Sequence, residues 1–146
     1  MIKNPRLRAL VGMALGAAAG ASLCLSILPL TLYQARIGDE TVLARMLMPY
    51  VPHVAMVWVA GGWGAARVGF PLGGGAVMAL AGLASALFAL WSALEPGAST
   101  MTVKILAVGG LTGLVYGFLG GLLLGRVLAT PGAASDDDAL PEVGKP

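Results

Sequence analysis

Four long stretches of the chain carry no lysine, arginine, aspartate or glutamate. Twenty-seven such residues separate Arg8 from Arg36, and 21 separate Arg45 from Arg67. Another 27 lie between Arg67 and Glu95, and 21 between Lys104 and Arg126. A helix needs about 20 apolar residues to cross a bilayer core ~30 Å thick. The spacing therefore predicts an all-α integral membrane protein. Its fold is expected to be a four-helix transmembrane bundle with spans at about 9–32, 46–66, 70–94 and 105–125. Composition points the same way: 11% of the 146 residues are charged, 58% are hydrophobic, and the mean hydropathy is +0.85. A soluble domain carries about 25% charged residues. Disorder is excluded as well, because it requires low hydrophobicity and high charge.

The spans divide the chain into a basic N-terminus (1–8), one transmembrane domain (9–130) and a tail (131–146). The opening MIKNPRLR and its apolar run resemble a secretory signal. The run continues through Cys24-Leu25-Ser26-Ile27-Leu28, however, so residues 9–32 are expected to persist as the first span. The tail, PGAASDDDALPEVGKP, has no apolar periodicity and is expected to be a disordered cytoplasmic segment.

Orientation follows from lysine and arginine near the span ends. An even number of spans puts both termini on one side, with Lys3, Arg6, Arg8, Arg67, Arg126 and Lys145. The other side holds Arg36, Arg45 and Lys104. The bias predicts cytoplasmic termini, with Lys3, Arg6 and Arg8 contacting anionic lipid headgroups. The small-residue composition suits a bacterial inner (cytoplasmic) membrane. Trp63 and Trp91 fall near opposite span ends, where aromatic rings anchor at the interface.

The 22 glycines are about twice the usual ~7%, and they are arranged. Gly109, Gly113, Gly117, Gly121 and Gly125 recur every four residues in span four, as Gly12, Gly16 and Gly20 do in span one. A second edge of span four carries Gly110, Gly113, Gly117 and Gly120. Lipid tails are as apolar as leucine, so membrane helices associate through close backbone approach, which small residues permit. These glycines are expected to pack helices tightly, with spans one and four forming the centre. One edge of span four could then serve a second subunit.

Span two is irregular. It reads Met46-Leu47-Met48-Pro49-Tyr50-Val51-Pro52-His53. Each proline removes a helix N–H and crowds the carbonyl four residues back, which frees the carbonyls of Arg45 and Met48. Asp39 is placed to cap, with Glu40 in a first turn that favours negative charge. Helix two is therefore expected to start near residue 40 and then break. His53 is the one strongly titratable group well inside a span, so Pro49, Tyr50, Pro52 and His53 form a candidate polar or pathway site.

All seven acids lie outside the spans. Proton-coupled exchangers use buried carboxylates as relays, and small four-helix multidrug exporters carry one in their first span, so that family is excluded. Gly61-Gly62-Trp63-Gly64-Ala65-Ala66-Arg67 resembles the glycine–arginine stretch of small four-helix fluoride channels. The stretch ends the second span here, though, and the family's pore asparagine has no counterpart. A single cysteine, Cys24, excludes an internal disulfide and a dithiol redox pair. No catalytic, cofactor-binding or metal-ligating set is expected, no enzyme activity, and no nucleic-acid partner. The expected role is a structural or accessory membrane subunit that packs with itself or with a larger complex. The alternative is a small oligomeric channel or transporter for a neutral or weakly polar solute. Its path would pass Pro49–His53, with sparse polarity from Ser22, Ser26, Ser85, Ser92, Thr112 and Tyr116.

Overall fold

The computed structural model describes residues 4–94 and 99–128. Four helices run up and down: α1 (Pro5–Gln34), α2 (Glu40–Val68), α3 (Pro71–Ala93) and α4 (Thr100–Leu128). All four are long and apolar enough to cross a membrane. Each except α3 extends past its charge-free interval, because arginine and lysine side chains reach out from the first and last turns while the backbone stays helical. Lys3 and the tail 131–146 lie outside the described residues.

Local chemistry sets the helix ends. Asn4 caps α1 by accepting from the Arg6 N–H at 3.0 Å, with Pro5 in the first turn. α1 closes in a Schellman arrangement in which Ile37 N–H reaches Leu32 O and Arg36 N–H reaches Tyr33 O. Arg36 takes the left-handed position there, at φ 58°. Gly69, at φ 75°, ends α2 in the same conformation, and Pro71 starts α3. Asp39 caps α2, its Oδ1 accepting from the N–H groups of Thr41 at 2.9 Å and Val42 at 3.4 Å and from the Thr41 hydroxyl. These bonds hold the Asp39 carboxyl below its ordinary value of 3.8, the hydroxyl of Thr41 contributing most. A depressed carboxylate lends stability that is present above its unfolded pKa and lost as pH falls through the folded one. Amide exchange at Thr41 and Val42 is therefore expected to accelerate below about pH 3.8 relative to mid-helix amides, and in Asp39→Ala at every pH.

The most extensive interface joins α3 to α4, followed by α1 to α2 and then α2 to α3. Spans one and four touch only sparingly, which corrects the expectation that they form the centre. The glycines of α1 face α2 instead. A Cβ on Gly12 would stand 2.6 Å from the carbonyl oxygen of Gly62, and one on Gly20 would stand 2.7 Å from Cγ of Trp58. The glycines of α4 face α3. A Cβ on Gly113, Gly117 or Gly121 would fall within 3.0 Å of the backbone of Gly82, Met78 or Gly74 respectively. One on Gly125 would stand 2.6 Å from the Cα of Pro71. The bundle is thus two antiparallel hairpins joined across α2 and α3. A small-residue stripe marks where a backbone can approach, and short connections hand that approach to the next helix in sequence.

The second glycine edge of α4 does not behave as one unit. Gly110 meets the side chains of Leu83 and Leu87, while a Cβ on Gly120 would meet nothing within 4 Å.

Candidate functional site

The two irregular turns of the bundle meet each other. In α1 the buried positions Gly12, Gly16, Gly20, Cys24, Leu28 and Leu32 recur every fourth residue. Such a stripe drifts by ~40° per step around a 3.6-residue helix. The wider π turn at Leu23–Ile27, where Leu28 N–H reaches back to Leu23 O, takes up part of that drift. Pro29 follows directly and lacks the N–H that would close an ordinary turn onto Leu25. In α2, Met48–Tyr50 tighten into a 3-10 turn. Val51 N–H bonds Met48 O, so the carbonyl that Pro52 would orphan is satisfied. The vacancy moves back one residue to Leu47 O, and the buried Cys24 thiol donates to it at 3.4 Å. Cys24 therefore belongs to the helix break, holding α1 against α2.

The predicted pathway residues lie outside this junction. Pro49, Pro52 and His53 are exposed on the flank of the bundle. His53 sits beside Phe88 of α3, with ring centroids 6.0 Å apart. Tyr50 is half-buried, meets Phe88 edge to face at 6.4 Å, and donates its hydroxyl to Ser92 O at 2.7 Å. Together these contacts tie the irregular turn of α2 to the last turns of α3.

The bundle centre is Trp58, which sequence reasoning passed over. Its side chain is fully buried. It lies against Gly20 of α1 and 5.6 Å from the Tyr116 ring of α4, while Gly16 faces the Trp58 backbone carbonyl. Its Nε1–H donates at 2.8 Å to Ser85 Oγ, which donates in turn to Gly82 O at 3.1 Å. An indole N–H at membrane depth must find an acceptor within the protein. A tryptophan near the middle of span two and a serine near the middle of span three were the available signal. Two interior threonines bond chiefly to their own helix backbone. Thr31 bonds Ile27 O and Leu28 O, while Thr112 bonds Val108 O and reaches Thr31 at 3.4 Å. The sparse polar residues do not form one stripe. Trp58 with Ser85 and Thr112 with Thr31 join helices, and the other bonds of these hydroxyls go to their own helix backbone.

Charge collects at the end where α1 begins and α2 closes. Arg8 donates to the carbonyl of Ala66, one of the last four of α2 and without a helical partner. The Arg67 guanidinium lies over the Trp63 ring, 4.1 Å from its centroid. Pro5, Arg6, Arg8, Ala9, Trp63, Ala66 and Arg67 line one groove of about 420 Å³. Among the described residues, no group of three or more His, Cys, Asp or Glu side chains could hold a metal ion.

The fold places the chain among helical proteins with four membrane-compatible helices. Compared with protein-family models, curated proteins and solved structures, it matches none.

Proposed function

We propose that this chain is a non-enzymatic polytopic membrane protein, a structural or accessory subunit that packs with itself or with a larger membrane complex. One observation carries the proposal: the interior is used up by packing. Trp58, Ser85, Cys24, Thr31 and Thr112 each spend their polar atoms joining helices or bonding helix backbone. No buried side-chain nitrogen or oxygen among the described residues is left without a partner. The outside offers large apolar side chains on every helix, including Leu10, Met56, Leu80, Trp91, Leu111 and Leu123. These suit lipid and protein partners alike. Cytoplasmic termini are the orientation that the charge bias favours, and a bacterial inner membrane is the setting that the small-residue composition suits.

Purification of the tagged protein in mild detergent is expected to yield a defined oligomer or stoichiometric partners. A strictly monomeric, partnerless protein would overturn the proposal.

The exposure of Pro49, Pro52 and His53 shapes the second reading, a small channel or transporter. Any path along those residues would run between copies rather than through one bundle. In liposomes that reading requires solute flux that changes in His53→Ala.

A further inference from the structure

We propose that the groove between the start of α1 and the end of α2 binds the phosphate of an anionic phospholipid, held by Arg6, Arg8 and Arg67. Three arginines line one groove, contributed by two helices. Arginine presents a planar fork of donors that matches phosphate oxygens, often two bonds at a time. Arg8 is half-buried and committed to the Ala66 carbonyl through one nitrogen, which orients the side chain and leaves most of its N–H donors free. Arg67 is positioned by the face of Trp63, since a cation over an indole is attracted to its π cloud.

The local charge is unopposed within the described structure. The described carboxylates are Asp39 and Glu40, both at the opposite end of the bundle. Among the described residues no carboxylate stands at this end, so an anion complements its arginines. The apolar surroundings favour a lipid over free phosphate. Pro5, Ala9, Trp63 and Ala66 complete the groove, and Leu7, Leu10 and Val68, next to its lining residues in sequence, are exposed. A phosphodiester carrying acyl chains uses both parts, with its phosphate on the arginines and its chains along the leucines. Basic pockets between membrane helices bind headgroups on this principle. Trp63 also sits near the helix end, at the depth where indole rings settle among headgroups. The inference stands apart from the accessory role, since a packing subunit and a transporter could both carry such a site.

The test is titration of the purified full-length protein in detergent with phosphatidylglycerol, read by native mass spectrometry. Phosphatidylcholine and inorganic phosphate form parallel arms. One phosphatidylglycerol is expected to bind saturably, with the double variant Arg6→Gln/Arg67→Gln weakening it about tenfold or more. Lys104→Gln, at the far end, should leave binding unchanged. Arg8 is kept intact because it also closes α2. Thermal unfolding in phosphatidylcholine nanodiscs should be the same for wild type and the double variant. Equal binding of phosphatidylcholine, or equal loss in Lys104→Gln, would overturn the site. Inorganic phosphate binding as tightly as phosphatidylglycerol would overturn the lipid assignment. A double variant that unfolds early in phosphatidylcholine would show the arginines serving the fold, and would also overturn it.

Discussion

Trp58→Ala is expected to destabilise the bundle by about 3 kcal/mol, the low end for truncating a core aromatic. The low end applies because moving apolar surface between protein and lipid returns little free energy. What is lost is dispersion contact and filled volume. The Trp58 side chain touches α1 at Gly20, α3 at Ser85 and α4 at Tyr116, so a cavity there loosens every helix pair it bridges. Trp58→Phe separates the two contributions. It keeps most of the ring packing and removes the bond to Ser85, which is worth about 0.6 kcal/mol if it behaves like measured interhelical bonds in membranes. Reversible unfolding in mixed micelles should rank the proteins wild type, Trp58→Phe, Trp58→Ala. Ser85→Ala should also fall below wild type, since it leaves the buried indole N–H without its acceptor, whereas in Trp58→Phe Ser85 keeps its bond to Gly82 O.

Gly82→Leu is expected to be more disruptive still. The built Cβ at this position already falls within 3.0 Å of the Gly113 carbonyl oxygen, and the obstacle is backbone that no rotamer change can move. Overpacking a core costs about 1–3 kcal/mol when side chains can shift. Here the whole of α3 must move away from α4 along their most extensive interface. The expected result is loss of the folded bundle on gel filtration in mild detergent, or a loss of more than about 3 kcal/mol where it survives. Gly75→Ala is a useful contrast, since its Cβ would meet the movable rings and methyls of Phe118 and Leu122 at 3.1–3.3 Å. It should be tolerated far better.

How much of this was legible in the sequence depends on what each signal constrains. Charge spacing limits where a chain can sit in lipid, so the four helices followed from Arg8, Arg36, Arg45, Arg67, Glu95, Lys104 and Arg126. Their ends ran longer, because a charge at a helix end can snorkel without ending the helix. The glycine series marked close approach but not the partner. Gly12, Gly16 and Gly20 would accept any helix with a small-residue stripe, and both span four and the Ala60–Ala66 run qualified. Chain connectivity decided between them: the turn at residues 35–39 delivers α2 to α1 first.

Pro49 and Pro52 announced the break in α2, whereas the single Pro29 inside span one does not by itself predict a π turn. Its π turn depends on a register mismatch that hydropathy does not record. His53 attracted attention as a rare titratable group, yet depth along a span does not say which face a residue occupies, and His53 lies on the exposed outer flank. Trp58 was overlooked because tryptophan in a membrane chain suggests an interfacial anchor, the role left to Trp63 and Trp91. Its distance from either end of span two, with Ser85 as the acceptor it needed, was the evidence against that role.

The central claim is that backbone-to-backbone contact at the glycines of α3 and α4 holds the bundle together. The most direct test is the unfolding free energy, in one bilayer mimetic, of Gly113→Ala against Gly120→Ala. The two changes add the same methyl group to the same helix, and alanine gains the same helix propensity at both, about 0.5–1 kcal/mol. At Gly113 the new carbon would fall within 3.0 Å of Gly82 O and 2.7 Å from the Cβ of Ala86, while at Gly120 it would meet nothing within 4 Å. The account predicts that Gly113→Ala destabilises the fold and Gly120→Ala leaves it unchanged or slightly more stable. Equal stability of the two variants, or a larger loss at Gly120, would contradict it.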